Sequence, residues 1–105
     1  MSTDIETLKK AIDHSKIIWR QHALTRMLER GISRDEIKTC IRNGEIIERY
    51  ENDKPFPSVL IYGSSEKHIL HVLAAYGSND ETCYIVTAYK PDKKHFKNDL
   101  RTRRG

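Results

Sequence analysis

The first 44 residues carry apolar side chains at the spacing of amphipathic helices. A T-x-x-E sequence, Thr3 to Glu6, precedes the first apolar positions and has the form of a capping box. It predicts a first helix that ends near Asp13. The next apolar run, residues 16–19, is short and β-prone, so it is either an extended linker or an edge strand.

Two more helices are predicted between residues 20 and 44. The second runs from about Arg20 to Arg30, and the glycine at Gly31 can adopt the left-handed conformation that ends a helix. A second capping box, Ser33 with Glu36, begins the third helix, which ends at residue 44. The middle of the chain is therefore predicted to be a helix pair joined by a tight corner.

From residue 45 onwards the pattern changes from helical spacing to strands separated by turn residues. The predicted strands are residues 45–51, 58–63, 67–77 and 82–90. The alternation in the first of them places Ile46, Glu48 and Tyr50 on one face. The third is almost continuously apolar, which is typical of a central strand covered on both faces.

These elements predict an α+β fold in which N-terminal helices pack on one face of a four-stranded antiparallel sheet. The chain has 105 residues, which is enough for one compact domain. We predict a single domain over residues 1–92 and a basic C-terminal tail over residues 93–105.

The net charge of +4 is concentrated in that tail. From Lys90 onwards there are seven Lys or Arg and two Asp, a balance of +5, whereas the preceding residues carry twelve basic and thirteen acidic groups, a balance of −1. A basic segment favours a polyanionic partner, or serves solubility alone. The tail's Lys and Arg residues have few apolar neighbours to anchor them, so the end from about Asp99 is predicted to be mobile and to meet RNA phosphates.

Composition excludes several classes of protein. No stretch approaches the roughly 20 apolar residues of a membrane span, and the N-terminus does not resemble a secretory signal. Two cysteines, Cys40 and Cys83, are too few for a disulfide framework or a four-cysteine zinc site. We therefore expect reduced thiols, a cytoplasmic location and no membrane contact.

No cofactor or metal site is predicted. The acidic residues are scattered, and no glycine-rich phosphate loop or nucleophile elbow is present. The two histidines of the third predicted strand, His68 and His71, lie three residues apart and would point to opposite faces.

The remaining chemistry is metal-free acid–base catalysis with cationic support. RNA cleavage by its own 2′-hydroxyl needs a base, an acid and positive charge at the phosphate. The catalytic candidates are His22, His71 and Tyr89, and the phosphate-binding candidates are Arg26, Arg30 and Lys90.

Each candidate also has a purely structural interpretation. The second helix carries His22, Arg26 and Arg30 on one side. This side is either an ordinary solvated face or a phosphate-binding surface. His71 is equally a core histidine with a hydrogen-bonding partner, and Tyr89 an aromatic residue at a sheet edge. The cationic row becomes a phosphate-binding rim only where it faces a concavity lined by strand residues.

Two motifs resemble those of a known family. They are H-A-x-x-R-M-x-E-R-G-I from His22 and G-E-I-I-E from Gly44. Together with later segments, they make residues 16–92 similar to the uncharacterised family numbered 4258 among domains of unknown function. That family is similar in layout to the RelE-like and BrnT-like toxins. The resemblance implies a RelE-like layout and a toxin of a type II toxin–antitoxin pair that cuts mRNA, with a cognate antitoxin of the small zinc-finger type.

Carried residue by residue, the family motif points to His22, Arg26, Arg30, Glu48, Tyr50, His71 and Tyr89. Two hypotheses follow. The first is a metal-independent endoribonuclease that acts on RNA. The alternative is a non-catalytic module that binds nucleic acid or protein through the same basic surface. An enzyme would have to bring His22, Arg26 and at least one of His71 or Tyr89 to one pocket. If these groups lie on opposite sides of the fold, the binding module is favoured.

Overall fold

The computed structural model describes residues 3–94 and 96–103. Three helices and five strands follow one another along the chain. In order, they are α1 (Ile5–Asp13), β1 (Ile17–Trp19), α2 (Gln21–Arg30), α3 (Arg34–Asn43), β2 (Glu45–Tyr50), β3 (Ser58–Ser64), β4 (Ile69–Gly77) and β5 (Thr82–Tyr89). The α+β class is thus confirmed.

The sheet has five strands in the order β1-β5-β4-β3-β2, and it is mixed. The four predicted strands, β2 to β5, pair antiparallel, but the prediction of a four-stranded antiparallel sheet is wrong because β1 joins the edge as a fifth strand, parallel to β5. The amide of Cys83 donates to the carbonyl of Lys16 at 2.9 Å, and the amide of Arg20 donates to the carbonyl of Ile85 at 3.2 Å. Of the two interpretations open for residues 16–19, the edge strand is the one observed.

The helix ends show how local sequence sets the boundaries. Asp4 caps α1 by accepting a hydrogen bond from the Thr7 amide at 2.8 Å, so the predicted capping box of Thr3 and Glu6 is wrong by one position. The capping box at the start of α3 is confirmed, and Gly31 ends α2 with a left-handed φ of 67°. Among the described residues, no helix combines the length and apolar content that crossing a membrane requires.

Glu36 joins α3 to the turn between β3 and β4. Its Oε2 closes the capping box, while its Oε1 accepts from the Ser65 hydroxyl at 2.9 Å and lies 2.6 Å from Nδ1 of His68. Burial opposes ionisation, but hydrogen bonds from the Ser33 amide, His68 and Ser65 outweigh it and hold the pKa of Glu36 at about 2. His68 therefore belongs to this turn and precedes β4.

The helices cover one face of the sheet, with α2 packed against β5 and α3 against β3. The core between the layers is apolar and fully buried. Its largest members are Leu8, Ile37, Ile41, Ile61, Leu70, Val72 and Ile85. The close approach of α3 depends on Gly63, where a Cβ atom would stand 2.4 Å from the carbonyl oxygen of Cys40.

The other side of the sheet, which we call the open face, carries polar and aromatic side chains. A register shift between Ile46 and Glu48 turns β2 so that Ile46 packs towards the helices while Glu48 and Tyr50 stand on the open face. The prediction that these three residues share a face is therefore wrong, because a β-bulge interrupts the alternation.

Residues 96–103, which we call the C-terminal segment, pack on the open face. Phe96 is buried, and an antiparallel bridge joins it to Arg103. The expectation that this region lacks an apolar anchor is wrong, because Phe96 supplies one. The domain boundary at residue 92 stays a prediction, and Arg104 lies outside the described residues.

Candidate functional site

One row of side chains crosses the open face on four neighbouring strands. Directly paired positions place Glu45 of β2 beside Tyr62 of β3, Tyr62 beside His71 of β4, and His71 beside Tyr89 of β5. Paired residues in antiparallel strands point to the same face, so these four side chains form a continuous line. His71 is the central member and is fully buried.

The hydrogen bonds of His71 fix its protonation pattern. Its Nε2 lies 2.6 Å from the carbonyl oxygen of Leu100, and its Nδ1 lies 3.3 Å from the hydroxyl of Tyr89. A carbonyl oxygen only accepts, so Nε2 carries the proton and donates it. In the neutral ring Nδ1 is then an acceptor, and the Tyr89 hydroxyl donates to it.

Burial sets the direction of both pKa shifts in this pair. It lowers the pKa of His71, which the hydrogen bond to Leu100 and the charge of Glu48 only partly offset. Burial likewise raises the pKa of Tyr89, against a smaller lowering by Arg103. At neutral pH the pair therefore consists of a neutral imidazole and a protonated phenol.

A second network lies beside the first and centres on Glu48. Tyr50 donates a hydrogen bond to one carboxylate oxygen, and Nε of Arg103 lies 2.7 Å from the other. Burial opposes the ionisation of Glu48, yet these two hydrogen bonds hold its pKa below the usual range. Arg103 also acts to lower the pKa of both Tyr50 and Tyr89, so it influences both networks.

Next to Tyr89 is a cavity of about 720 Å³. Its lining contains three cationic side chains, two carboxylates and two aromatic rings: Arg30, Lys90, Arg103, Glu29, Asp92, Tyr89 and Phe96. Arg30 is held there because its Nη1 donates to the carbonyl of Ala88 at 2.7 Å. The cavity is thus lined by a tyrosine whose hydroxyl is hydrogen-bonded to His71, and by three cationic side chains.

The cationic row of α2 does not act as a unit. Arg30 lines the cavity, whereas Arg26 pairs with Glu29 at 3.1 Å and His22 is exposed on the first turn. Arg30 lies eight positions after His22 in the helix, which is about 12 Å along the axis. The structure therefore brings Arg30 and Lys90 to the side of Tyr89 and His71, and neither His22 nor Arg26 is among the residues that line this cavity.

Sequence reasoning missed several members of this site. The family motif points to Glu48 and Tyr50 but assigns them no role. Arg103 stands out in the sequence only as one of the basic residues of the tail. Leu100 contributes a main-chain carbonyl, which leaves no signature in the side-chain pattern. The one signal available was Phe96, a single aromatic residue in a strongly polar segment.

The remaining chemistry-bearing side chains are dispersed. Within residues 3–94 and 96–103, no group of three or more His, Cys, Asp or Glu side chains is arranged to hold a metal ion. Cys40 and Cys83 are free and buried, and burial raises their thiol pKa values to about 11 and about 12. Both thiols therefore pack as small apolar side chains.

Comparison with known proteins gives one match. No curated protein and no solved structure matches the chain. A family model matches residues 19–90, which include α2, α3 and all strands from β2 to β5. The C-terminal segment lies beyond that match. Because the match extends over more than half of the chain, the protein belongs to the family described as Domain of unknown function (DUF4258).

Proposed function

We propose that this protein is a metal-independent endoribonuclease and the toxin of a type II toxin–antitoxin pair. The observation that carries the proposal is Tyr89, which lines a cavity together with three cationic side chains and whose hydroxyl donates to a buried neutral histidine, His71. A RelE-like layout and kinship with BrnT-like toxins belong to this proposal. RNA is the proposed substrate, the cytoplasm the proposed location, and a small zinc-finger protein the proposed antitoxin.

The proposed reaction is attack by a ribose 2′-hydroxyl on the adjacent phosphate. Tyr89 accepts the 2′-hydroxyl proton while its own proton moves to Nδ1 of His71, so the phenol is never left as a free anion. The 2′-oxygen forms a bond to phosphorus, and the bond from phosphorus to the 5′-oxygen breaks. The leaving 5′-oxygen takes a proton from water, which gives a 2′,3′-cyclic phosphate and a 5′-hydroxyl. The hydroxide that remains takes the proton of the Tyr89 hydroxyl, and Tyr89 recovers a proton from Nδ1 of His71, so both side chains return to their starting state.

Cationic side chains at the cavity stabilise the charge that develops on phosphorus oxygens. Arg30 is oriented by the Ala88 carbonyl and keeps its remaining guanidinium donors for a phosphate. Lys90 follows directly after Tyr89 in sequence and lines the same cavity. Preorganised donors of this kind contribute about 10²–10³-fold each in other enzymes.

The test is cleavage of labelled RNA by the purified protein, with and without EDTA. We expect cleavage that EDTA does not change, and products that end in a cyclic phosphate. Tyr89→Phe keeps the ring and removes only the hydroxyl, so it should lower the cleavage rate by about 100-fold or more. Equal cleavage by wild type and Tyr89→Phe would remove Tyr89 from the mechanism.

His22→Ala is the matched comparison, because it removes an exposed candidate that does not line the cavity. We expect it to cleave RNA like wild type and to slow growth of an expressing host equally. If His22→Ala instead abolishes cleavage and Tyr89→Phe does not, the catalytic assignment moves to α2.

One observation favours a second candidate function. Both ring nitrogens of His71 already have protein partners, as expected for a structural histidine. In that case the same cavity belongs to a binding module that holds RNA without cutting it. Binding of labelled RNA with no cleavage by wild type, at any EDTA concentration, would favour this function.

A further inference from the structure

The C-terminal segment closes into a compact turn of its own. The amide of Lys97 donates to the carbonyl of Thr102 at 2.7 Å, and the amide of Leu100 donates to the carbonyl of Lys97 at 2.7 Å. Asp99 holds the turn from inside, since its Oδ1 accepts from the amides of Arg101 and Thr102 at 3.0 Å each. The conformation is therefore built by the segment itself.

Three contacts place this turn on the open face around His71. The ring of Phe96 meets the His71 ring edge to face, with centroids 4.5 Å apart. Arg101 pairs with Glu45 at 2.9 Å, and Arg103 pairs with Glu48 at 2.7 Å. Both arginines thus bind glutamates of β2 on the far side of His71 from β5.

The point of contact with His71 is a strained residue. Leu100 has φ 60°, in the left-handed region that non-glycine residues rarely adopt. This conformation directs its carbonyl oxygen to Nε2 of His71. Strained backbone of this kind persists where the surrounding structure determines it, and it clusters at functional sites.

We propose that the C-terminal segment positions the catalytic pair of His71 and Tyr89, and that it does so through the Leu100 carbonyl. This inference rests on the ribonuclease function proposed above. The carbonyl holds the proton of the neutral ring on Nε2, which leaves Nδ1 as the acceptor that faces Tyr89. It occupies the place of the third group that orients the base in nucleophile–base–orienter arrangements. The segment lies beyond residues 19–90, which the family model matches.

A pair of substitutions at Leu100 isolates the backbone effect. Leu100→Gly adopts positive φ freely, so it keeps the turn and the carbonyl in place. Leu100→Pro fixes φ near −65° and removes the amide that donates to Lys97, so it displaces the carbonyl. Both variants lose the leucine side chain, and the comparison between them reports the carbonyl.

The measurements are the ¹⁵N chemical shifts of His71, which distinguish the two neutral tautomers, and the kcat and KM of RNA cleavage. We expect Leu100→Gly to keep the Nε2–H tautomer and to cleave within about threefold of wild type. Leu100→Pro should lose that tautomer preference and at least about tenfold in kcat, with KM little changed. Asp99→Ala loosens the turn more gently and serves if the proline variant does not fold.

The other outcomes are decisive as well. Faster cleavage by Leu100→Pro would overturn the proposal and make the segment an inhibitory cover. Unchanged tautomer and unchanged kcat in both Leu100→Pro and Asp99→Ala would also overturn it. If wild type cleaves no RNA, the proposed function fails, whereas the tautomer shifts still decide whether the Leu100 carbonyl orients His71.

Discussion

The two faces of the sheet are built from the same strands but are covered in different ways. The helical layer meets one face through a continuous apolar core, in which side chains such as Ile61 and Ile85 are completely buried. The open face meets the C-terminal segment through the buried ring of Phe96, two arginine–glutamate pairs and the hydrogen bond from His71 to the Leu100 carbonyl. The stabilisation from the helical layer depends on the apolar area buried and not on direction. The contacts of the C-terminal segment are polar and depend on direction.

This difference separates stability from chemistry. Apolar burial is worth about 25 cal/mol for each Å², so the helix-covered face supplies most of the folding free energy. Directional contacts contribute less but fix the position of donors and acceptors. We therefore expect substitutions on the helix-covered face to change the free energy of unfolding, and substitutions on the open face to change activity and RNA binding.

The largest effect on stability is expected where neighbouring residues of β3 point to opposite faces. Ile61→Ala should lower the free energy of unfolding by about 4 kcal/mol, because its site is enclosed between the sheet and the helices. Leu60→Ala should lower it by about 2 kcal/mol, because Leu60 lines an open-face cavity of about 380 Å³ into which neighbours and water can move. Urea denaturation measures both values, and equal losses would contradict the contrast between the faces.

A smaller effect is expected at the contact between α3 and β3. Gly63→Ala should cost about 2–3 kcal/mol, since its Cβ would meet the backbone carbonyl of Cys40, which cannot move without shifting α3. Gly31→Ala is the control, because no atom lies within 4 Å of its Cβ position and only its left-handed φ of 67° is penalised. We expect about 1 kcal/mol there. Thermal denaturation of the two variants would contradict the packing argument if Gly31→Ala were the less stable.

The third prediction concerns pH and the buried end of α3. Glu36 has a folded pKa of about 2 against a usual value of 4.5, so its ionised form stabilises the fold. This stability is fully present above about pH 4.5 and is lost as the pH falls towards 2. Glu36→Gln should therefore cost about 2 kcal/mol at pH 7, and its stability should approach that of wild type near pH 2.

Asp35→Asn provides the comparison for this pH series, because Asp35 is an exposed carboxylate in the same helical turn. We expect it to change the free energy of unfolding by a few tenths of a kcal/mol. Chemical denaturation from pH 2 to pH 7 follows both variants. A Glu36→Gln curve parallel to that of wild type would show that the carboxylate is not the source of the acid sensitivity.

The smallest effect on stability is expected for the exposed ion pairs. Arg101→Gln breaks the pair with Glu45 and should cost less than about 1 kcal/mol. Its effect on RNA binding should be clearer: if Arg101 meets a phosphate, the slope of log K against log salt falls by about 0.7. Arg42→Gln breaks a similar pair with Asp13 on the helical side and should leave the slope unchanged. Equal slopes for all three proteins would show that Arg101 does not contact a phosphate.

The elements that the sequence predicted correctly are those marked by neighbouring residues, such as a capping box, a glycine at a helix end or an apolar run. The Ser33–Glu36 capping box, the left-handed Gly31 and the central strand β4 are all where the pattern placed them. The pattern allows either a linker or an edge strand at β1, because three residues carry too little periodicity and the pairing of β1 depends on a partner far along the chain. The bulge after Ile46 was missed because strict alternation assumes an unbroken register.

The same distinction applies to the candidate site. His71 could be singled out because a polar ring interrupts an apolar strand, and Tyr89 because it ends the last strand. Their partners could not be found, since the Leu100 carbonyl and the contacts of Arg103 arise only when the segment folds back across the sheet. Tertiary contacts of this kind have no local pattern.

The pairing of β1 with β5 has a consequence for biosynthesis. Ile17 of β1 is synthesised before β2, β3 and β4, whereas its partner Cys83 is synthesised only after these three strands. Contacts between such distant positions slow folding, because a long loop has to close before they form. The sheet edge, and after it the segment that reaches His71, are therefore completed last. A nascent chain consequently holds its proposed catalytic groups unassembled until synthesis has passed the final strand.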